Sequence, residues 1–155
     1  EKYRSPNLDS YVGNEQIKNT ISKYLGQNDI QNFIFYGPAG TGKTTLAKLI
    51  VNNLDCSFLY INASDERGID IIRNQINFFV NSKPLFHTGM KFVILDEVDY
   101  MTKNAQQALK YLLHGFNTNV RFCLICNICR RITQLFHLDK NCLDPRCFLP
   151  QMACW

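Results

Sequence analysis

The feature that most constrains this chain is an eight-residue run that reads Gly37-Pro38-Ala39-Gly40-Thr41-Gly42-Lys43-Thr44. It fits the pattern G-x-x-x-x-G-K-[ST], and it lies between a short apolar run, Phe33–Tyr36, and a segment with helical spacing of apolar residues. Glycines allow such a loop to curl so that backbone N–H groups point inward, at the start of the helix, toward a bound anion. The pattern therefore predicts a phosphate-binding loop in an α/β nucleotide-binding fold.

Each position of this loop has an expected role. Lys43 would place its charge on the β- and γ-phosphates, Thr44 would hold a magnesium ion, and Thr45 would contact the α-phosphate. The remaining nucleotide-binding positions are Gly37, Pro38, Ala39, Gly40, Thr41 and Gly42. The cofactors that the loop predicts are ATP and Mg²⁺. The alternative is a glycine turn that happens to precede a helix.

The rest of the sequence to about residue 127 alternates between short apolar runs and helical periodicity. The predicted strands are Phe33–Tyr36, Ser57–Ile61, Lys91–Leu95 and Arg121–Cys126. Gly26 is expected to close the first helix, Thr102 to cap the fourth, and His114-Gly115 to end it. This repeated strand–helix–strand order predicts a three-layer α/β domain with a mainly parallel sheet, and ligands at the carboxyl ends of its strands.

Two acidic residues follow the third apolar run directly. In phosphate-loop ATPases an acid at the end of a neighbouring strand helps to hold magnesium, and the next acid can polarise the attacking water. Asp96 is the predicted metal partner, and Glu97 is the predicted catalytic base. Without the phosphate-binding loop, such a pair would more simply be a solvated strand end or a helix cap. Asn127 follows the fourth strand and could reach the γ-phosphate, although an Asn there is also a common turn residue.

Charge and hydropathy give weaker constraints. The formal charge is +4, but residues 1–120 hold 12 Lys and Arg against 11 Asp and Glu, so the basic excess lies mostly in the last 35 residues. The N-terminal segment is charged, and no run of about 18 apolar residues occurs. These features predict an intracellular protein that does not enter a membrane.

Several segments resemble the replication factor C small subunits, which are clamp-loader ATPases of the AAA+ class. They are Glu1-Lys2-Tyr3-Arg4, Tyr11-Val12-Gly13-Asn14, Asn62-Ala63-Ser64-Asp65-Glu66-Arg67-Gly68-Ile69-Asp70, Asp96-Glu97-Val98-Asp99-Tyr100-Met101-Thr102, Ala105-Gln106-Gln107-Ala108-Leu109 and Arg121-Phe122-Cys123-Leu124-Ile125-Cys126-Asn127. The resemblance covers about residues 1–132 and implies an AAA+ nucleotide-binding domain there. The string Ser64-Asp65-Glu66-Arg67-Gly68 within this set does not suit another AAA+ enzyme such as a branch-migration motor.

The resemblance also implies partners and further site residues. It implies a subunit of a ring that uses ATP to load a sliding clamp onto primer-template DNA, together with other loader subunits, in the nucleus if the source is a eukaryote. Arg4 and Val12 would contact the nucleotide, and Asn127 would be a catalytic sensor of the γ-phosphate. Arg73 and Lys103 would contact the DNA backbone through phosphates rather than bases. For these two residues the alternative is a solvated surface charge.

Beyond Ile132 the resemblance ends, and residues 133–155 form a divergent, Cys-rich tail. The family continues to a Ser-Arg-Cys motif whose Arg serves a neighbouring subunit, but at that spacing this chain has Asp139, and its Arg146-Cys147 pair comes later. The family's lid and collar segments are not matched. The sequence thus suggests a weakly active or truncated product, and the alternative function is a non-catalytic nucleotide-binding interaction module in a loader-like complex.

Six of the seven cysteines fall after residue 122, which raises the possibility of a metal site. Cys123 and Cys126 lie three residues apart on a predicted strand and would therefore point to opposite faces of the sheet. We expect that they do not share one ion, and that the cysteines of the fourth strand are ordinary buried thiols.

Overall fold

The computed structural model describes residues 15–27, 30, 32–54, 56–65, 68–83, 90–115 and 120–127. The helices are α1 (Glu15–Gln27), α2 (Lys43–Leu54), α3 (Ile69–Asn81) and α4 (Lys103–Gly115), and the strands are β1 (Phe33–Tyr36), β2 (Ser57–Asn62), β3 (Lys91–Asp96) and β4 (Val120–Cys126). A single 3₁₀ turn, Val98–Tyr100, connects β3 to α4. Arg4, Val12 and the predicted boundary at residue 132 lie outside the described residues.

The four strands form one parallel sheet in the order β1-β4-β3-β2. Phe33 pairs with Cys123 and Tyr36 with Cys126, so the first and last strands of the described sequence are neighbours. Because all four strands run in the same direction, their carboxyl ends share one edge of the sheet. The loops after β1, β4 and β3 therefore lie side by side, which is the location that a parallel α/β sheet offers for a ligand.

Helices cover both faces of the sheet. One face packs against α1 and α2, in a cluster that includes Ile17, Ile21, Phe33, Phe35, Leu46, Ile50, Phe92, Ile94 and Cys123. The other face packs against α3 and α4, in a cluster that includes Ile34, Ile61, Ile72, Ile76, Val93, Leu95, Leu109, Phe122 and Cys126. Burial on both sides explains why β3 and β4 read as nearly continuous apolar runs. The predicted three-layer architecture with a parallel sheet is confirmed.

The predicted boundaries need small corrections. Gly26 was expected to close α1, but the helix includes Gly26 and extends to Gln27. The second and third strands each extend one residue further, to Asn62 and Asp96, and the fourth begins one residue earlier, at Val120. These ends differ because pairing with a neighbouring strand, and not the local apolar run, decides where a strand stops.

The predicted cap of the fourth helix is present. The Thr102 hydroxyl oxygen accepts a hydrogen bond from the backbone N–H of Ala105 at 3.3 Å, and α4 ends at Gly115 as expected. Among the helices in the described part of the chain, none combines the length and apolar character needed to cross a bilayer.

Candidate functional site

The loop between β1 and α2 has the backbone conformation of an anion cradle. Gly40 and Gly42 have φ angles of 81° and 85°, a left-handed conformation that residues with a Cβ atom adopt only with strain. Helix α2 begins at Lys43, and its first hydrogen bond runs from the N–H of Leu46 to the carbonyl of Gly42 at 2.9 Å. The N–H groups before Leu46 belong to the first turn, where a helix has no acceptors of its own. N–H groups at this positive end of a helix are suited to binding an anion.

Lys43 is buried at the start of α2, with only 6% of its surface exposed. Its ammonium group donates to the carbonyl oxygens of Gly37 at 2.9 Å and Pro38 at 2.8 Å, and to Oδ1 of Asn127 at 3.1 Å. A buried ammonium ion needs such partners, because transfer from water without them is very costly. Lys43 thus joins the phosphate-binding loop to the carboxyl end of β4.

The second link runs from Thr44 to the end of β3. The Thr44 hydroxyl donates to Oδ2 of Asp96 at 2.7 Å, and Oδ1 of the same carboxylate accepts the backbone N–H of Glu97 at 2.9 Å. Asp96 is the last residue of β3 and is 7% exposed. The two residues that the sequence assigns to magnesium therefore lie in direct contact, although they are 52 positions apart.

Glu97 has a left-handed backbone, with φ of 56° and ψ of 35°. In the described residues it is the one non-glycine position with positive φ. The turn ends the strand at Asp96, and the Glu97 carbonyl accepts the N–H of Tyr100 in the following 3₁₀ turn. Strained backbone of this kind concentrates at functional sites, where the surrounding structure compensates for its cost.

Asn127 directly follows β4 and is held from two sides. Its side-chain oxygen accepts from Lys43, and its backbone N–H donates to Oδ1 of Asp99 at 3.3 Å. Asp99 is 5% exposed and lies in the 3₁₀ turn after Glu97. The end of β4 is therefore tied both to the phosphate-binding loop and to the segment that follows the acidic pair.

These residues surround one open cavity of about 300 Å³. Its walls are Ala39, Gly40, Thr41, Gly42, Lys43, Thr44, Thr45, Asp96, Glu97 and Asn127. Nearly all of the predicted loop, both acids and the predicted sensor thus meet at one place. Gly37 and Pro38 contribute the carbonyl groups that hold Lys43.

The residues in this cavity fit the predicted cofactors. The Thr44 hydroxyl and the Asp96 carboxylate are hard oxygen ligands of the kind that Mg²⁺ prefers, and they point at each other at a cavity wall. The curled backbone and the Lys43 ammonium group supply the donors that phosphate oxygens require. The arrangement can therefore accept a polyphosphate with its metal ion.

Cys123 and Cys126 are buried free thiols in β4, and they pack into clusters on opposite faces of the sheet. Burial, with a smaller contribution from the Asp96 carboxylate, raises the pKa of the Cys123 thiol well above its usual range. A protonated, buried thiol is a poor metal ligand. Within the described ranges, no group of three potential His, Cys, Asp or Glu ligands comes together. The prediction that Cys123 and Cys126 point to opposite faces of the sheet is confirmed, whereas the tail cysteines lie outside the described residues.

The two predicted DNA contacts lie away from the nucleotide cavity. Arg73 is in the second turn of α3, where it contacts Asp70 at 3.5 Å, and Lys103 is the exposed first residue of α4. The two helices pack against each other. A second cavity of about 590 Å³ opens near their first turns, between Gly68 and Tyr100. The structure thus places both cations at the same end of this helix pair.

Two further residues contact the site and were missed at the sequence level. Tyr60 on β2 donates its hydroxyl to Oδ2 of Asp96 at 3.0 Å, and Asp99 accepts the N–H of Asn127. The sequence alone suggests that Asp99 lies near the site, because it is only three residues beyond Asp96. Tyr60 has none, because its contact depends on the pairing of β2 with β3.

Several known proteins are similar to this chain in sequence. The chain is 43% identical to replication factor C subunit 5 of Homo sapiens over 165 aligned positions, which cover 98% of this chain and 48% of that protein. It is 41% identical to replication factor C subunit 3 of Schizosaccharomyces pombe, covering 86% and 40%, and 42% identical to the replication factor C small subunit of Picrophilus torridus, covering 85% and 43%. The chain thus spans less than half the length of these relatives.

Among solved structures, the Thermotoga maritima RuvB Holliday junction branch migration motor matches with a TM-score of 0.68 at 16% identity, over 87% of this chain and 45% of that one. This likeness concerns the fold alone. Residues 33–150 match the family described as the ATPase family associated with various cellular activities (AAA), which is three quarters of the sequence and includes the whole cavity. The chain belongs to this AAA family of ATPases.

Proposed function

We propose that this chain is an ATP-binding and ATP-hydrolysing subunit of a DNA sliding-clamp loader of the replication factor C type, acting in DNA replication and repair. The observation that carries the proposal is the double link across the cavity, from Lys43 to Asn127 and from Thr44 to Asp96. The similarity to replication factor C subunits supports the assignment to this branch of the AAA family.

In the proposed mechanism, the phosphate-binding loop holds the nucleotide through its backbone. N–H groups of the loop and of the first turn of α2 donate to phosphate oxygens, and the Lys43 ammonium group adds a positive charge next to the β- and γ-phosphates. Thr45, at the wall of the same cavity, contacts the α-phosphate. Arg4 and Val12 contribute to the nucleotide site by resemblance, outside the described residues.

Thr44 and Asp96 would hold the magnesium ion, which when bound neutralises phosphate charge that develops during transfer. The Glu97 carboxylate takes up the proton of the attacking water, for which its position at the cavity wall, next to Asp96, is suitable. Asn127 donates its side-chain amide N–H to the terminal phosphate while its oxygen stays with Lys43. The Lys43 Nζ and Asn127 Nδ2 atoms would then both lose a contact when that phosphate leaves.

The proposed partners are the other loader subunits, a sliding clamp and primer-template DNA, and the proposed location is the nucleus if the source is a eukaryote. Arg73 and Lys103 would contact DNA phosphates from the starts of two packed helices. Such contacts position a protein on DNA without reading its sequence, as suits a machine that acts at any primed site.

ATP turnover should be measured for the purified chain alone and mixed with the remaining loader subunits from the same source, using wild type, Lys43→Ala and Glu97→Gln. We expect turnover to rise strongly in the mixture, since an arginine from a neighbouring subunit is worth about 10³ to 10⁵ in rate in related nucleotidases. Glu97→Gln should bind ATP without turnover, and Lys43→Ala should fail to bind. Equal turnover with and without partners would contradict a loader subunit. ATP binding without turnover in any mixture would instead support the non-catalytic interaction module.

A further inference from the structure

We propose that Tyr60 is a positioning residue for the magnesium site, where its hydroxyl group fixes the orientation of the Asp96 carboxylate. The inference rests on the proposed function, because it assigns Tyr60 a task in the same nucleotide site. Tyr60 lies on β2, and the described walls of the nucleotide cavity do not include it. Its hydroxyl group contacts the site through the Asp96 carboxylate.

The contacts of the Asp96 carboxylate carry the proposal. Oδ2 accepts two hydroxyl groups, from Tyr60 at 3.0 Å and from Thr44 at 2.7 Å, while Oδ1 accepts the backbone N–H of Glu97 at 2.9 Å. These donors come from three different parts of the fold: β2, the first turn of α2, and the segment after β3. A carboxylate that is held from three directions cannot rotate freely about its terminal torsion.

Lys48 holds the other side of the tyrosine. Its ammonium nitrogen lies 4.6 Å from the centre of the Tyr60 ring, and Lys48 is on α2, the same helix that begins with Lys43 and Thr44. A cation over an aromatic face is attracted to the electron-rich face of the ring. The ring is thus held between α2 and β3, and its hydroxyl is aimed at the carboxylate.

This arrangement matches the physical role of outer-shell partners at metal sites. Groups that hydrogen-bond a metal-ligating carboxylate orient it, and their removal typically lowers metal affinity about 10- to 100-fold. Removing only the Tyr60 hydroxyl oxygen should therefore lower the affinity for Mg²⁺ and leave the phosphate-binding loop unchanged. A purely structural tyrosine would have no such selectivity.

The test is the dependence of nucleotide binding on free Mg²⁺. Binding of a fluorescent ATP analogue should be titrated with Mg²⁺ for wild type, for Tyr60→Phe and for Tyr111→Phe, which removes the same atom from an exposed position on α4. We expect the Mg²⁺ midpoint of Tyr60→Phe to rise about tenfold or more. Affinity for the analogue in EDTA should stay within about twofold of wild type, since Lys43 and the loop are unchanged. Tyr111→Phe should match wild type in both measurements.

A second variant, Lys48→Met, keeps the hydroxyl but removes the cation over the ring, and it should shift the Mg²⁺ midpoint in the same direction by a smaller factor. An unchanged midpoint in Tyr60→Phe would overturn the role of Tyr60 and leave the proposed function intact. Equal loss of affinity in Mg²⁺ and in EDTA would overturn it too, because it indicates a structural effect. Failure of the wild-type chain to bind the analogue under either condition would overturn the proposed function and this inference together.

Discussion

The Nζ atom of Lys43 lies 3.1 Å from the Oδ1 atom of Asn127, although the two residues are 84 positions apart in the sequence. The contact exists because β1 and β4 are neighbours in the sheet, so that the loops after them meet. Since Asn127 also binds Asp99 through its backbone, this pair connects the phosphate-binding loop to the turn that follows the acidic residues. In the proposed mechanism, the loss of the terminal phosphate would affect both segments through Lys43 and Asn127.

Replacing Asn127 with Asp should weaken the binding of ATP more than the binding of ADP. The substitution keeps the size of the side chain and places a negative charge beside Lys43, where it would repel a terminal phosphate. We expect ATP affinity to fall about tenfold or more relative to ADP, which is about 1.4 kcal/mol of selective loss. Calorimetric titration with both nucleotides measures the ratio, and Asn74→Asp, exposed on α3, is the control for added charge. Equal weakening of ATP and ADP would argue against a position near the terminal phosphate.

The left-handed backbone of Glu97 predicts that a glycine variant at this position is more stable than an alanine variant. Glycine adopts this conformation freely, whereas a residue with a Cβ atom is strained by about 1 kcal/mol or slightly more. Glu97→Gly should therefore have a higher free energy of unfolding than Glu97→Ala by about 1 kcal/mol, as measured by urea denaturation. At Gln107, exposed on α4, the same pair of substitutions should show the opposite order, because glycine disfavours a helix. An Ala variant at 97 that is as stable as the Gly variant would show that the turn carries no strain.

Two glycines provide a matched test of the phosphate-binding loop. A Cβ atom at Gly40 or at Gly26 would meet no atom within 4 Å, so neither substitution introduces a clash. Gly40 has φ of 81°, and Gly40→Ala should lower the free energy of unfolding by about 1–2 kcal/mol. Gly26 lies within α1, so Gly26→Ala should raise it by about 0.5–1 kcal/mol. Urea denaturation measures the change in the free energy of unfolding for each variant and shows whether the two changes have opposite signs. A destabilised Gly26→Ala would mean that α1 does not continue through this residue.

Lys91 predicts a dependence of stability on pH. Its ammonium group lies at the end of α3 and donates to the carbonyl groups of Phe79 and Val80 at 2.6 and 2.7 Å, and also to the Ser82 carbonyl. Burial lowers the pKa of Lys91 below its ordinary value of 10.5. Between the folded pKa and 10.5 the unfolded chain therefore binds more protons than the folded one, and the contribution of Lys91 to stability rises with pH.

The measurement for Lys91 is the free energy of unfolding of wild type minus that of Lys91→Met, determined by urea denaturation from neutral pH upward. This difference should increase as the pH approaches 10.5 and level off above it. Lys103→Met serves as the control for the removal of a lysine charge, because Lys103 is exposed at the start of α4. A Lys91 difference that falls over the same range would mean that hydrogen bonds to the charged form outweigh burial.

Much of this site was predictable because its parts follow local rules. The phosphate-binding loop is a contiguous pattern, and Asp96 and Asn127 each follow an apolar run directly, so parallel strands bring them to one edge. The order of the strands was not predictable, because the pairing of β1 with β4 depends on tertiary packing and not on any local period. The contact of Tyr60 with Asp96 depends in turn on how β2 pairs with β3.

The conformation of Glu97 also lay beyond sequence patterns. Left-handed backbone is usually signalled by Gly, Asn or Asp, and Glu is not among them. The predicted end of α1 was wrong for the opposite reason. Glycine commonly ends a helix, but this helix continues through Gly26 to Gln27. In both cases the backbone conformation departs from the usual preference of the residue type.

The central claim is that the loop from Gly37 to Thr44 and the acids Asp96 and Glu97 form a nucleotide site. Calorimetric titration of the chain with ATP in Mg²⁺ tests this claim most directly. Wild type and Lys23→Ala, which changes an exposed lysine of α1, should bind equally. Lys43→Ala should bind about 30-fold more weakly or not at all, since hydrogen bonds to a charged group contribute roughly 2–3 kcal/mol. Wild-type ATP affinity retained in Lys43→Ala, or no ATP binding by wild type, would contradict the account.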